Sequence, residues 1–190
     1  MSDLHERIVQ LVTSHAYQRR AEPFRLASGQ LSHDYIDGKL AIAHGDDLCW
    51  VADAVIASVS SSFDSVGGLT MGADAIAHAV AMRASCRWFS VRKQPKGRGL
   101  DKWIEGAALH SGVSVLLVDD VVTTGGSILM AYEKVRATGA SVVAAVTLVD
   151  RGDTASTEFG KLGIQYESLV NYTDLGIERI GPARPAPLRV

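Results

Sequence analysis

The sequence has little of several features that would assign a protein to a functional class at once. Its 190 residues carry a formal net charge of -2, which gives no electrostatic argument for binding nucleic acid or an anionic membrane. No run of apolar residues is long enough to span a bilayer. Residues 1–10 are charged and lack the apolar segment of a signal peptide, so we expect a cytoplasmic protein.

Cysteine is scarce, and the chain shows no repeat or low-complexity segment. Cys49 and Cys86 are the two cysteines, and no metal-binding spacing accompanies them. Both lie among apolar residues, so we expect buried free thiols. Three of the five prolines fall in the last nine residues, Pro182–Val190, a tail that we expect to be irregular or loosely packed.

The most informative stretch runs from Val115 to Ser127. Four apolar residues lead to Asp119 and Asp120, which we call the acid pair, and the chain continues as V-V-T-T-G-G-S. The apolar run predicts a strand buried on both faces of a parallel sheet, followed by a helix over Ile128–Thr138. Residues 123–127, which we call the phosphate cradle, form a Gly- and Thr-rich helix start whose backbone N–H groups favour an anion.

This stretch differs from two familiar nucleotide-binding motifs. It lacks the three spaced glycines of the dinucleotide fingerprint, and no lysine follows the glycines as in a P-loop. Carboxylates repel phosphate but accept hydrogen bonds from sugar hydroxyls, so acids beside an anion cradle indicate a ribose with a 5′-phosphate. An ordinary strand-to-helix turn with a capping aspartate is the structural alternative.

The same stretch resembles the phosphoribosyl-pyrophosphate (PRPP) motif of type I phosphoribosyltransferases. The resemblance implies that the acid pair binds the ribose 2′- and 3′-hydroxyls and that the turn after it binds the 5′-phosphate. The residues it assigns to PRPP are Asp119, Asp120, Val121, Val122, Thr123, Thr124, Gly125, Gly126 and Ser127. We therefore expect an α/β fold, with a mostly parallel twisted sheet flanked by helices and a small layer near the N-terminus.

The N-terminal part predicts an amphipathic helix followed by that small layer. The apolar residues at helical spacing are Leu4, Ile8, Leu11 and Val12. Short strands are expected within Phe24–Gly29 and Asp34–Lys39, because polar and apolar residues alternate there, and we call residues 24–39 the hood. The hood resembles the N-terminal part of orotate phosphoribosyltransferases, although many members have a lysine where this chain has Ala27.

A second glycine-rich turn follows the next predicted helix, Asp46–Ser61. The strand and turn span Ser65–Asp74 and lead into a helix over Ala75–Ala84. By resemblance this turn is the pyrophosphate loop, which assigns Thr70 and Met71 to PRPP. Some relatives have a lysine at the position of Met71, so binding here would rest on backbone donors and the helix start. Tight helix–sheet packing through glycine is the alternative.

A basic segment follows the strand predicted at Trp88–Lys93. We call residues 93–104 the basic loop and expect it to be mobile and to fold over a polyanion, because it lacks helical or strand periodicity. A solvated basic surface is the alternative. The loop resembles the catalytic loop of orotate phosphoribosyltransferases, whose pattern is close to Arg-Lys-x-x-Lys-x-His-Gly. The matching residues are Arg92, Lys93, Lys96 and Gly99.

Arg98 stands where that pattern has histidine. A neutral histidine both accepts and donates hydrogen bonds, whereas arginine only donates. We therefore expect Arg98 to neutralise the departing pyrophosphate and not to transfer a proton. The resemblance assigns PRPP binding to Arg92, Lys93, Lys96 and Arg98. It assigns catalysis to Lys93, Lys96, Arg98 and the acid pair.

An arginine follows the last long apolar run. Ser141–Val149 predicts a central strand that ends at Asp150-Arg151-Gly152. A guanidinium at the carboxyl end of a parallel strand lies where ligands bind, and it can form a two-pronged contact with a carboxylate. By resemblance the residues that bind orotate are Tyr35, Ile36, Thr123 and Arg151. Plain packing is the alternative for Tyr35, and pairing with Asp150 or Asp153 is the alternative for Arg151.

A final strand is expected over Gln165–Val170, with a short helix over Asn171–Leu175.

The resemblance implies an orotate phosphoribosyltransferase, which converts orotate and PRPP into orotidine 5′-monophosphate and pyrophosphate. It implies an oxocarbenium-like transition state, and Mg²⁺ carried mainly by PRPP with few protein ligands and no metal site of the protein's own. It also implies a homodimer that shares the basic loop across its interface. The expected partners are small molecules, without nucleic acid or membrane.

We expect residues 1–190 to form one domain, with a helix and hood in residues 1–40, a core in residues 41–176 and a tail in residues 177–190. Three alternatives for the function stay open. The first alternative is a phosphoribosyltransferase for a base other than orotate. The second is a PRPP-sensing regulator without turnover, and the third is a nucleotide-binding interaction module.

Overall fold

The apolar run that ends at the acid pair lies inside a six-stranded sheet. A computed structural model describes residues 2–26, 29–96 and 102–181, with the backbone alone for Ser2 and Lys96. In chain order the elements are α1 (Ser2–Leu11), a π-helical turn (Val12–Ala16), β1 (Tyr17–Arg25), β2 (Leu31–Ile36), α2 (Gly38–Ala41), α3 (Gly45–Ser58), β3 (Ser65–Leu69), α4 (Asp74–Ala84), β4 (Arg87–Lys96), β5 (Lys102–Gly106), β6 (Ser114–Val122), α5 (Gly126–Arg136), β7 (Ser141–Asp150), α6 (Thr154–Lys161) and β8 (Gln165–Asn171).

The order of the strands creates the place where a ligand is expected. The large sheet runs β5-β4-β3-β6-β7-β8, and all neighbouring pairs are parallel except β4 and β5. The chain moves from β3 outward through β4 to β5, and then returns to the other side of β3 as β6. The strand order therefore reverses between β3 and β6, and open parallel sheets bind ligands at the carboxyl ends of strands at such a point.

Strand β6 is buried on both faces, as its apolar run predicts. Leu116 and Val118 join a cluster with apolar residues of α1, α3 and α4. Val115 and Leu117 join a second cluster, on the face covered by α5 and α6. All four are fully buried. Because burying one such side chain stabilises the fold by about 1.5–3 kcal/mol, both helical layers fix the position of the acid pair at the end of this strand. The predicted mostly parallel sheet flanked by helices is confirmed.

The hood belongs to a separate, two-stranded layer. Strands β1 and β2 pair antiparallel, with an irregularity between Arg19 and Phe24. Strand β1 begins at Tyr17, earlier than predicted, and most of its residues are exposed. The strand expected over Asp34–Lys39 ends already at Ile36. The chain turns there because the Asp37 carboxylate accepts a hydrogen bond from Lys39 N (3.1 Å) and caps α2.

Both ends of the described chain attach to the core. Helix α1, predicted from its apolar spacing, buries Ile8 and Leu11 in the same cluster as α3 and α4. Near the other end, Ile180 N donates to Arg151 O (2.7 Å) and Gly181 N donates to Gln30 Oε1 (3.0 Å). The remainder of the predicted tail, residues 182–190, lies outside the described residues. Within the described part of the chain, no helix has the length and apolar character needed to cross a bilayer.

Three local predictions are wrong. The arms of the basic loop are the paired strands β4 and β5, with Lys96 opposite Lys102, because backbone pairing supplies hydrogen bonds that need no alternation of side chains. Cys49 is exposed and Cys86 is half-buried, so both are free thiols but neither is a core residue. Residues 171–175 form a turn that the Asn171 side chain stabilises by accepting from Thr173 N and Asp174 N, and not a helix. Helix α6 was not predicted.

Candidate active site

The acid pair occupies the carboxyl end of β6 with two different environments. Asp119 is 3% exposed, and its Oδ1 accepts a hydrogen bond from Asp120 N (3.0 Å). The Asp120 carboxylate is less buried: Oδ1 accepts from Val121 N (2.8 Å), and Oδ2 lies 2.8 Å from Lys39 Nζ. Burial, together with the neighbouring Asp120 carboxylate, raises the pKa of Asp119 to about 7. Any positive or hydrogen-bond-donating group that reaches the pair therefore stabilises its ionised form.

The predicted pyrophosphate loop lies against the acid pair. A Cβ placed on Gly72 would come within 2.5 Å of Asp120 Oδ1 and 2.7 Å of Asp119 Oδ1. Glycine therefore permits this close approach, and a side chain here would displace either the loop or the carboxylates. In the same loop, Asp74 is fixed by Thr70 Oγ1 (2.7 Å) and Ser90 Oγ (2.6 Å), which both donate to its carboxylate. The loops after β3 and β6 thus meet at the switch point of the sheet.

The phosphate cradle has the geometry that its sequence predicts. Residues 123–125 form a bend, and α5 begins at Gly126 after Gly125, whose φ is +78°. The first N–H groups of a helix have no acceptor inside the helix, so they are available to an anion at this end. Ser127 is exposed, whereas Val122 is buried in the core, and its carbonyl oxygen accepts from Arg151 N (2.9 Å).

Arg151 lies beside this cradle, at the carboxyl end of β7. Its residue is 2% exposed, its Nη2 donates to Ser32 Oγ (3.2 Å), and its buried Nε has no hydrogen-bond partner among the described residues. Burial lowers the pKa of the Arg151 guanidinium. The alternative of pairing with Asp150 or Asp153 is not observed. Arg151 is therefore a buried donor whose hydrogen-bonding capacity is only partly used.

The neighbours of Arg151 hold its turn in place. Asp150 Oδ1 accepts from Gly152 N (2.9 Å), and Asp150 Oδ2 accepts from the hydroxyl of Tyr166 on β8 (2.6 Å). Burial raises the pKa values of both Asp150 and Tyr166. Asp153 instead pairs with Arg179 (2.7 Å). These contacts leave the guanidinium of Arg151 directed away from its sequence neighbours.

The remaining predicted residues differ in burial, and some of them lie outside the described part of the chain. Met71 is exposed and lines a cleft of about 710 Å³ with Thr70, Arg92 and Lys93. Tyr35 is half-buried, with its ring edge-on to Phe24 (5.6 Å between centroids) and below the Arg20 guanidinium (4.4 Å). Ile36 is packed in the core. Arg98, Ala27 and the side chain of Lys96 lie outside the described residues.

Three residues near the site had no role predicted from the sequence. Ser32 lies on β2, Lys39 on α2 and Tyr166 on β8. Lys39 does follow an acid and a glycine in the hood, but only the fold shows that it reaches an aspartate 81 positions away. Within the described residues, no group of three or more His, Cys, Asp or Glu side chains is arranged to hold a metal ion.

Comparisons with known proteins agree with this geometry. Residues 51–160 match the family model described as a phosphoribosyl transferase domain. The chain is 31% identical to orotate phosphoribosyltransferase of Synechocystis, over 92% of this chain and 90% of that protein. It is 35% identical to the enzyme of the same name from Aquifex aeolicus, over 90% of this chain and 96% of that protein.

A solved structure extends the similarity to the backbone. Orotate phosphoribosyltransferase of Mycobacterium tuberculosis in complex with PRPP superimposes with a TM-score of 0.75 at 30% identity, over 92% of this chain and 99% of that chain. The type I phosphoribosyltransferase fold predicted from the central motif is therefore confirmed. The match to a family model, together with identity above 30% along most of the length of both relatives, shows that the chain belongs to the orotate phosphoribosyltransferase family.

Proposed function

We propose that this protein transfers the 5-phosphoribosyl group from PRPP to orotate, giving orotidine 5′-monophosphate and pyrophosphate. The observation that carries the proposal is the meeting of three groups at neighbouring strand ends. The acid pair lies at the carboxyl end of β6, the phosphate cradle follows β6, and the partly satisfied guanidinium of Arg151 follows β7. A phosphorylated sugar and a carboxylate-bearing base are the ligands that match these groups in chemistry and position.

The acid pair and the cradle bind the ribose 5-phosphate part in this proposal. Asp119 and Asp120 accept hydrogen bonds from the 2′- and 3′-hydroxyls, and the N–H groups of the cradle bind the 5′-phosphate. Val121 and Val122 contribute through their backbone, since Val122 is buried. As the bond to pyrophosphate breaks, positive charge develops on the ribose ring, and ionised carboxylates beside it stabilise that charge.

Arg151 binds the carboxylate of orotate. Its Nη2 donates to Ser32 Oγ in the free protein, so the incoming carboxylate replaces this contact and takes the free Nε as well. Because Arg151 is almost fully covered, the N-terminal layer that carries Ser32 has to move for the base to enter. Tyr35 and Thr123 lie on the base side of the site in this proposal, and Ile36 supports them from the core.

Cationic side chains stabilise the leaving pyrophosphate. Arg92 and Lys93 line the cleft beside Thr70 and Met71, on the other side of the switch point from Arg151. Arg92 is positioned by its ion pair with Glu105 (3.5 Å). We propose that Lys96 and Arg98 join them when PRPP is bound, as charge neutralisers and not as proton donors. Removing one such contact is expected to lower the rate by about 10²–10³.

In this proposal Mg²⁺ enters the site bound to the substrate and not to the protein. The acid pair offers hard oxygen donors, but its oxygens already meet Lys39, backbone N–H groups and, in the proposal, the ribose hydroxyls. The ion would be held mainly by the substrate, as is common for Mg²⁺, which retains waters and takes few protein ligands. When bound, Mg²⁺ supplies positive charge that neutralises the phosphate oxygens.

The biological setting is part of the proposal. We propose that residues 1–190 work as one domain, that two copies form a homodimer, and that the basic loop of each copy reaches the site of the other. The charge of -2 does not favour an anionic polymer as the partner. The proposed substrates are small metabolites, and the proposed location is the cytoplasm.

The experiment that tests the proposed function is a spectrophotometric assay with PRPP, Mg²⁺ and a panel of bases that includes orotate, uracil and hypoxanthine. We expect turnover with orotate alone. Arg151→Ala should lower kcat/KM for orotate by about 10² or more with little change in KM for PRPP, and Arg151→Lys should recover only part of the loss, because it keeps the charge but not the two-pronged contact.

Other results of this assay would contradict the proposal in distinct ways. Turnover of another base that is insensitive to Arg151→Ala would identify a different phosphoribosyltransferase. Tight PRPP binding without pyrophosphate release would identify a sensing protein. No PRPP binding at all would leave only a nucleotide-binding module.

A further inference from the structure

An ion pair joins the hood to the acid pair. Lys39 Nζ lies 2.8 Å from Asp120 Oδ2, and the two residues are 81 positions apart in sequence. The Lys39 side chain is about half exposed, whereas the Asp120 side chain is 13% exposed. The cation therefore approaches from the solvent side, and it covers an acid that faces the proposed ribose position.

The backbone around Lys39 fits against the acid pair. Asp37 N donates to Ala16 O (3.0 Å), and the Asp37 carboxylate accepts from Lys39 N (3.1 Å), so both ends of this short turn are fixed. A Cβ on Gly38 would lie 2.9 Å from Val121 Cγ2 and 3.1 Å from Asp120 Cβ. The turn thus packs directly on the end of β6, and Lys39 differs from a surface lysine that meets an acid by chance.

The contacts of Asp120 leave part of its carboxylate available. Lys39 binds Oδ2 and Val121 N binds Oδ1, so both oxygens are held in position. A carboxylate has about four lone-pair sites, and these two contacts use two of them. Among the described residues no further donor is assigned to this carboxylate, so it retains capacity to accept from a ribose hydroxyl. The orientation of Asp120 is therefore set before substrate arrives.

Charge gives Lys39 a second effect on the same pair. Asp119 and Asp120 are neighbours, and the charge of Asp120 disfavours the ionised form of Asp119. The hydrogen bond to Asp120 raises the pKa of Lys39, and the charge of Lys39 acts to lower the pKa of Asp119. The other titratable groups that interact with the three are Asp37, which is near Lys39, and Tyr166, which is near Asp119.

We propose that Lys39 is a positioning residue for the transfer reaction, which orients the Asp120 carboxylate toward the ribose. This inference rests on the proposed function. It links α2 to the ribose site, because the side chain that holds the acid belongs to this short helix after the two-stranded layer. A half-exposed ion pair contributes little to stability, so the effect of Lys39 should appear in PRPP recognition and rate and not in folding.

The test compares Lys39→Met and Lys39→Arg with the wild type and with Lys161→Met. Lys161 is a matched control, since it is exposed and pairs with Glu158 at 2.7 Å on α6, away from the acid pair. Steady-state kinetics should show that Lys39→Met lowers kcat/KM for PRPP by about 10–100-fold and leaves KM for orotate nearly unchanged. Lys39→Arg should recover most of the activity, and Lys161→Met should match the wild type.

The pH profile separates positioning from a purely structural role. Without Lys39 the pKa of Asp119 should rise, so the acid limb of kcat/KM for PRPP should move to higher pH in Lys39→Met and return in Lys39→Arg. Thermal unfolding should be nearly the same for all four proteins. A wild-type profile and wild-type kinetics in Lys39→Met would overturn the inference while leaving the proposed function intact.

Calorimetric titration with PRPP keeps the two proposals distinguishable. If the wild type turns over no base, the proposed function fails, and calorimetry then decides on Lys39 alone. Weaker PRPP binding by Lys39→Met than by the wild type and Lys161→Met would support the contact with the ribose site. Equal affinity of all variants would overturn it.

Discussion

At the scale of single residues, the acid pair lowers the stability of the fold in return for a binding site. Asp119 is buried next to another carboxylate, which is unfavourable for its ionised form. An uncompensated buried acid is retained where a ligand supplies the missing charge or hydrogen bonds. The ligand-free protein should therefore be less stable with Asp119 than with a neutral side chain at this position.

This reasoning predicts a pH-dependent effect of Asp119→Asn. The pKa of Asp119 is about 7 in the folded protein, above its ordinary value of 3.8, so the folded state binds this proton more tightly than the unfolded state. The contribution of Asp119 to stability is then greatest below about pH 4, falls as pH rises toward 7, and stays low above 7. Asp119→Asn should raise the free energy of unfolding at pH 8, on the order of 3 kcal/mol, and change it much less at pH 4.

The measurement is urea denaturation of the ligand-free protein at both pH values, with Glu133→Gln as the control because Glu133 is exposed on α5. A stability difference between wild type and Asp119→Asn that is the same at both pH values would contradict the assignment. The same variant should lose activity by about 10²–10³, because the amide cannot carry the negative charge.

The central site residues were predictable because they are contiguous in sequence. The acid pair and the phosphate cradle lie within nine consecutive positions, and their chemistry is visible without the fold. Lys39, Ser32 and Tyr166 were not predictable in this way, because each acts on a residue far along the chain. Arg151 was predicted from its place after a strand, but its burial under Ser32 was not.

At the scale of secondary-structure elements, two glycine-containing turns bring separate strands to one site. The loop after β3 approaches the acids at the carboxyl end of β6 through Gly72, where a Cβ would lie less than 3 Å from their oxygens. The position of the pyrophosphate loop relative to the ribose site therefore depends on this one glycine.

Gly72→Ala should separate the two loops. The added methyl would lie 2.5 Å and 2.7 Å from the two acid oxygens, so either the loop or the acids must shift. We expect a loss of about 1–3 kcal/mol in stability and a fall in kcat/KM for PRPP of at least about 10². Steady-state kinetics and thermal unfolding provide the check.

Gly160→Ala is the matched control, because nothing lies within 4 Å of a Cβ at this position of α6. Alanine is also the better helix former, so this control should be as stable as the wild type or slightly more stable. Wild-type kinetics in Gly72→Ala would show that close approach of the two loops is not needed.

Elements buried on both faces were predicted best, and exposed ones least well. The apolar runs of β6 and β7 have few structural alternatives, because only an inner strand of a sheet covers both faces of such a run. The paired arms of the basic loop carry polar side chains on exposed positions, so their sequence resembles that of a loop. Helix α6 is short and contains two threonines, a serine and a glycine, which weakens its helical signal.

At the scale of the whole molecule, the proposed homodimer makes a prediction about mixed subunits. If the basic loop acts on the site of the partner, a subunit with Arg98→Ala and a subunit with Asp119→Asn each retain what the other has lost. A mixed dimer would then contain one site with both parts intact. Mixing the two inactive variants under conditions that exchange subunits should restore about a quarter of the wild-type activity.

The control mixes Asp119→Asn with Asp120→Asn, since both changes disable the same side of each site and no intact site can form. Activity that stays absent in the first mixture, although mass measurement shows mixed dimers, would mean that each basic loop serves its own subunit. A protein that is fully active as a monomer would remove the dimer from the proposal.

The central claim is that the acid pair and the phosphate cradle together bind a ribose phosphate. The most direct test is a crystal structure of the protein with PRPP and Mg²⁺. The account predicts the ribose 2′- and 3′-hydroxyls within hydrogen-bonding distance of Asp119 and Asp120, with the 5′-phosphate on the N–H groups of residues 124–127. PRPP bound with its ribose away from the acid pair, or with its 5′-phosphate outside the cradle, would contradict it.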